Sequence, residues 1–184
     1  MTTKFIGNYY AGKWDSIVDS LMIKDGQRVA YGENFYKNVD GRFDEIITMW
    51  NEAGYDKVDT VEWINYYPEK DFPKLVVEDF EKFTGLKCAR AWISRLRPGK
   101  YAPIHRDIDD DMEKYLAQGE LIRYSVFISQ PYVGAVVVVG DSCFHCETSG
   151  NTYRWDNFMD WHAGGNCGLH DQFMFHFLGV KHNG

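Results

Sequence analysis

A mainly β, antiparallel fold with a layer of N-terminal helices is what this sequence predicts, on three observations. Up to Gly85 the apolar residues recur at the spacing of amphipathic helices. Beyond it they fall into short apolar or alternating runs broken by turn residues. No Pro-, Gly- or Ser-rich linker separates the two textures, so the 184 residues read as one domain, with 1–88 a mainly helical layer and 89–184 the strand-rich core.

The first helix is predicted from Trp14, because Trp14, Ile17, Val18, Leu21 and Met22 form one stripe and Gly26 supplies a stop. Phe43 to Ala53 repeats the pattern with Phe43, Ile46, Ile47 and Trp50, and Gly54 follows where a C-terminal cap is wanted. The third helix takes Asp71 as N-cap, Pro73 in its first turn, the stripe Phe72, Val76, Phe80 and Phe83, and Gly85 as terminator. Strands are expected near 89–97, 101–107, 121–129, 134–140, 142–148, 152–156 and 171–179. Pro98-Gly99 and Gly140-Asp141 mark turns, the second a hairpin. Asp109 to Gln118 reads as a short helix closed by Gly119, its acidic triplet Asp109, Asp110 and Asp111 complementing the positive N-terminal end.

Composition excludes several classes of function. A net charge of −7 without a Lys/Arg cluster argues against nucleic acid as a partner. No signal-peptide pattern and no apolar run of about 20 residues is visible, so a soluble, cytoplasmic protein without a membrane partner is expected. The four cysteines, Cys88, Cys143, Cys146 and Cys167, are few for a disulfide framework and read as free thiols.

The chemistry-bearing stretch is His105-Arg106-Asp107, inside a run that otherwise reads as two strands and a turn. Alternate residues of a strand share a face, so His105 and Asp107 converge on one ion while Arg106 points away. An imidazole and a carboxylate make up two thirds of a facial triad for non-heme Fe(II). The third ligand has to come from a strand distant in sequence. His162, between an aromatic strand and what reads as a Gly-rich turn at Ala163-Gly164-Gly165, is the first candidate; His170 and His176 compete, and position alone does not separate the three.

Arg97-Pro98-Gly99, Pro103-Ile104-His105-Arg106-Asp107, Arg123, Tyr153-Arg154-Trp155-Asp156, and His162 with Asn166 four residues on form an ordered set across about residues 90 to 180. This set resembles the 2-oxoglutarate and Fe(II)-dependent dioxygenases, in particular the aspartyl/asparaginyl β-hydroxylase-like branch. The resemblance implies a double-stranded β-helix, a cupin-like jelly roll, with the helices packed on one sheet. It implies His105, Asp107 and His162 as iron ligands, 2-oxoglutarate as cosubstrate, dioxygen as oxidant, and hydroxylation of a C–H bond on a small-molecule or peptidyl amino-acid side chain. Arg123 matches the family's arginine for the far carboxylate of 2-oxoglutarate, since a guanidinium binds a carboxylate in two places. Alternation puts Ser125 on the same face, and His176 is a candidate neutral helper. Where many members carry a second arginine, about ten residues beyond the distal histidine, this chain has Asp171-Gln172. Trp63, Tyr66, Tyr67, Tyr101 and Trp161 are candidates to line the cleft, with core packing as the competing role.

Two other readings follow from the residues. Cys143-Phe144-His145-Cys146 with Cys167-Gly168-Leu169-His170 has the spacing of a structural zinc site, although Cys143 and Cys146 sit on what reads as a strand, where a three-residue step sends their sulfurs to opposite faces. Buried free thiols acting as small hydrophobes are the competing account. A jelly roll that binds metal without oxygenating, as an isomerase or small-molecule binding protein, keeps the three ligands and has no need of Arg123 for a dicarboxylate. A metal-free binding module needs none of them.

Overall fold

The computed structural model describes residues 3–9, 14–30, 41, 44–55, 60–107, 111–130, 133–145 and 147–182. In chain order the elements are β1 (Thr3–Asn8), α1 (Trp14–Met22), β2 (Gln27–Ala30), α2 (Asp44–Glu52), β3 (Glu62–Tyr66), α3 (Lys74–Thr84), β4 (Lys87–Leu96), β5 (Tyr101–His105), α4 (Met112–Leu116), β6 (Gly119–Phe127), β7 (Ala135–Val139), β8 (Ser142–His145), β9 (Asn151–Trp155), β10 (His162–Asn166) and β11 (Gln172–His182).

Two antiparallel sheets face each other. The large one runs β1-β9-β6-β11-β4-β3-β2 and the small one β5-β10-β7-β8. From β4 onward the chain crosses repeatedly between them, which makes the eight strands β4–β11 a jelly roll. The N-terminal part is less helical than its periodicity suggests. β1 extends the large sheet beyond β9, and β3 and β2 extend it beyond β4. These three strands escape sequence reading because none shows clean alternation: in β3, for instance, Trp63, Ile64 and Tyr66 are all buried.

β11 lies at the centre of the large sheet, buried without a break from Gln172 to Val180. Its outward residues Phe173, Phe175 and Phe177 join Ile93, Val126 and Tyr124 beneath Trp14, Ile17 and Leu21 of α1 and Val76, Val77 and Phe80 of α3. Its inward residue Met174 meets Phe127, Val139, Phe144 and Trp155 inside the barrel. The expected stripes of α1 and α3 hold apart from their ends, where Met22 and Phe83 are exposed, and Phe43 of the second stripe lies outside the described residues. The helices do not all cover the large sheet. α2 carries Ile46 and Trp50 against Val61, Trp63 and the β5 residues Tyr101 and Ala102, and Trp50 Nε1 donates to the Ile104 carbonyl at 2.7 Å.

Boundary residues show what local chemistry decided. Asp71 does not cap α3; its carboxylate accepts from the Tyr67 amide at 2.8 Å, closing the preceding turn, and the helix starts after Pro73. Gly85 is the C-cap, its N–H donating to Glu81 O. Val139 pairs with Ser142 across Gly140-Asp141, the two-residue hairpin anticipated there. α4 is shorter than the expected 109–118, and Asp109 and Asp110 lie outside the described residues. Gly119 is not its cap but the first residue of β6, at φ +156°, where an added Cβ would stand 2.2 Å from Lys181 O on the neighbouring β11. Gly119→Ala therefore forces a strained backbone into a neighbouring carbonyl. We expect a loss of about 1–3 kcal/mol or more, read from the urea midpoint, with no effect if the strand accommodates the methyl.

Candidate metal centre

β5 and β10 pair so that His105 and His162 stand directly opposite one another, with ring centroids 4.2 Å apart. Asp107 follows two residues after His105 and reaches the same point: its Oδ1 is 3.7 Å from His105 Nε2 and its Oδ2 3.7 Å from His162 Nε2. The potential ligand atoms of the three residues lie within 4.8 Å of one another, and this is the one such group of three or more His, Cys, Asp and Glu side chains among the described residues. Arg106 points away, as the alternation requires, toward Glu45 and over the ring of Trp161.

Hydrogen bonds set the tautomers of both imidazoles. His105 Nδ1 is 2.7 Å from the Pro103 carbonyl and His162 Nδ1 is 3.0 Å from that of Asp160. A carbonyl only accepts, so each Nδ1 carries the proton and each Nε2 offers its lone pair to the centre. Burial, the largest influence on each, holds both pKa values below that of a free histidine, which keeps them neutral. Burial alone would raise the Asp107 carboxyl. Arg123, the largest opposing influence, outweighs this and holds it well below the ordinary carboxylate range. Neutral imidazoles and an ionised carboxylate are the protonation states that a divalent ion requires.

Aromatic rings wall the histidines. Trp63 stacks on His105 at 5.3 Å and 18°, Trp50 meets its edge, and Trp155 stands edge-on to His162. Trp63 lies against His105 and belongs at the same time to the buried cluster around α2. Tyr66 is wholly buried among the large-sheet core instead, and Tyr101 packs with Tyr55. Tyr67 lies under the Arg90 guanidinium, and Trp161 joins the cluster around α2.

Register places the three expected cosubstrate residues on one inner face. His176 pairs with Ser125 on one side and Trp92 on the other, and Arg123 lies one step along β6, opposite Leu178. Arg123 is 4% exposed and donates to Asp107 Oδ2 at 2.5 Å. His176 Nε2 lies 2.9 Å from Ser94 Oγ and its Nδ1 3.2 Å from Ser125 Oγ. Burial first, then Arg123, holds its pKa well below that of a free histidine, so the ring is neutral. It stacks on Trp92 at 4.9 Å. Trp92 and Ser94 were missed from sequence; their in-facing alternation on β4 becomes meaningful only once the register with β11 is known.

Other candidates fall elsewhere. His170 is exposed beyond β10, and His176 does not join the triad. Cys143 and Cys167 are exposed and Cys88 is half-buried, so these three are not the buried hydrophobes expected; Cys146 lies outside the described residues. The Gly-rich segment after His162 is not a turn but β10 itself, hydrogen-bonded to β5 on one side and β7 on the other. Gln172 is buried, with its Nε2 donating to Ser129 Oγ at 2.6 Å. The adjacent Asp171 is bonded to Arg95.

No known family model matches the chain, and no curated protein matches it either. Among solved structures it is similar to a viral collagen prolyl hydroxylase from Paramecium bursaria Chlorella virus 1 in a 2OG complex, with 10% identity, 98% of this chain and 97% of that one covered, and a TM-score of 0.46. A Pseudomonas putida prolyl-4-hydroxylase is similar at 12% identity over 92% of this chain and 100% of that one, TM-score 0.42. A cupin domain from Bordetella pertussis is similar at 13% identity over 50% and 80%, TM-score 0.34. The fold, by its own topology, is a jelly roll of two antiparallel sheets. No helix among the described residues is long and apolar enough to cross a membrane.

Proposed function

We propose that the protein is an Fe(II)- and 2-oxoglutarate-dependent dioxygenase that hydroxylates a C–H bond of a free or peptidyl amino-acid side chain. The observation that carries this is the ligand set: two neutral imidazoles with Nε2 lone pairs directed inward and one ionised carboxylate, all on one face. Such a set fits Fe(II), which these three residues would hold with positions to spare for further ligands. When bound, iron supplies the redox chemistry that couples oxidative decarboxylation of 2-oxoglutarate by dioxygen to oxygen insertion into a C–H bond, with succinate and carbon dioxide as coproducts. The chain's own part is to hold the ligands by the Pro103 and Asp160 carbonyls and to exclude water with Trp50, Trp63 and Trp155. Ser125 and His176 are the proposed neutral contacts for the cosubstrate. Arg123, which the resemblance would make the anchor of its far carboxylate, is paired with Asp107.

Anaerobic addition of Fe(II) and 2-oxoglutarate is expected to give a visible metal-to-ligand charge-transfer band, absent in His105→Ala. A second reading, a metal-binding barrel that does not oxygenate, is favoured by one observation, the neutral Gln172 where a guanidinium would bind a dicarboxylate. Bound iron without the band would support that reading and overturn the first.

A further inference from the structure

We propose that Arg123 is a positioning residue for the carboxylate of Asp107, held to that task by a frame of aromatic rings and hydrogen bonds, and is not the anchor of the cosubstrate's far carboxylate. The proposal rests on the reading of His105, Asp107 and His162 as a metal centre.

The frame is a chain of hydrogen bonds. The indole Nε1 of Trp155 lies 3.1 Å from Ser125 Oγ, and an indole N–H can only donate, so the hydroxyl oxygen accepts. Ser125 Oγ also lies 3.2 Å from His176 Nδ1, and His176 Nε2 lies 2.9 Å from Ser94 Oγ. His176 is neutral, so one of its ring nitrogens donates and the other accepts. The chain fixes two indoles: Trp155 directly, and Trp92 through its stacking on the His176 ring, with 18° between the planes.

Between these indoles sits the Arg123 guanidinium, its carbon 3.8 Å from the Trp155 ring centre and 5.1 Å from that of Trp92. Both contacts are of cation–π range, and a planar guanidinium is the cation suited to a flat slot. Out of this slot Arg123 reaches Oδ2 of Asp107, which also stands 3.7 Å from His162 Nε2, while Oδ1 stands 3.7 Å from His105 Nε2. Engaging one carboxylate oxygen leaves the other to ligate, which is how an outer partner fixes a ligand's orientation. Position weighs against the anchoring role as well. Arg123 touches a residue that would itself touch the ion, whereas an oxo acid chelating through its first two carbons carries its second carboxylate at the far end of the chain.

The test is calorimetric titration of the full-length apoprotein with Mn(II), a redox-inert probe, followed by 2-oxoglutarate at saturating metal. Arg123→Gln is expected to weaken Mn(II) binding about 10–100-fold and to change 2-oxoglutarate affinity by less than about 3-fold. Arg123→Lys keeps the charge without the planar fork and is expected to recover part of the metal affinity. Ser125→Ala, which removes the link between Trp155 and His176, is expected to fall between wild type and Arg123→Gln, and it serves if Arg123→Gln does not fold. Unchanged metal affinity with a large loss of 2-oxoglutarate binding would overturn the proposal and restore the anchoring role. A gain in metal affinity would also overturn it, by showing that repulsion between guanidinium and ion outweighs positioning. A wild type that binds metal but gives no charge-transfer band removes only the oxygenase reading; one that binds no divalent ion removes both.

Discussion

Replacing His162 by alanine is expected to abolish stoichiometric Fe(II) or Mn(II) binding while leaving the barrel folded. The loss should exceed the roughly 10–100-fold that removal of an outer partner costs, because one of three ligating atoms is gone. β10 itself should survive, since its ladder to β5 and β7 is made by the backbone. His170→Ala, on an exposed residue of the same segment, is the matched control and should bind metal as wild type does. pH adds a signature. Burial holds the pKa of both ligating histidines below that of a free imidazole, so protons do not compete with the ion until the pH is well under about 6.5. Affinity should therefore stay level from pH 8 to 6.5, where an exposed pair would already be losing it. The sign for the apoprotein is the same. Below about 6.5 the unfolded chain takes up protons that the folded histidines refuse, so stability falls as pH falls. The depressed Asp107 adds to this below about 4, as its folded-state advantage is lost through protonation. Titration calorimetry across pH and urea melts of the apoprotein check both halves.

Phe80→Ala should remove about 3–5 kcal/mol of stability, a large share of the 5–15 kcal/mol that roughly spans whole domains. Phe80 is completely buried at the meeting point of α3 with the large sheet. Its ring packs against those of Tyr9, Phe175 and Phe177 at 4.9, 5.3 and 4.9 Å, and against Tyr124 and Phe83. Truncation opens a cavity walled by rings from three elements, and rings of that size do not collapse into it easily. Phe83, on the same helix but 44% exposed, supplies the contrast: Phe83→Ala should cost no more than about 1 kcal/mol. A shift in urea midpoint of equal size for the two variants would show that α3 contributes little to the common core. Metal affinity measured well below the midpoint should be untouched in both, since the cluster lies on the outer face of the sheet.

How much of this was legible in the sequence follows from which signals are local. Seven of the eight jelly-roll strands announce themselves by alternation and turns. β10 does not, because its Ala163-Gly164-Gly165 centre has almost no side chains with which to alternate, and glycine pairs read more readily as a turn. β1 fails for another reason: it is an edge strand whose Phe5 and Ile6 are both substantially exposed. His105 and Asp107 were legible because a two-residue step on a strand fixes a shared face. His162 was separable from His170 and His176 only by resemblance, since its distinction is the strand that it sits opposite. The Arg123–Asp107 contact was not legible at all. It depends on how the two sheets close, and neither residue's neighbourhood in the chain carries that information.

His105 and His162 belong to the small sheet and Asp107 extends from its strand β5, whereas Arg123 belongs to the large sheet. The ion pair therefore ties the two sheets together beside the centre. A cation held by the small sheet would stiffen the carboxylate that this tie pulls on, and the tie would keep that carboxylate within reach of the cation. Metal binding and the contact between the sheets would then support each other. Heat or denaturant that pries the sheets apart there should release the ion before the outer core around Phe80 lets go.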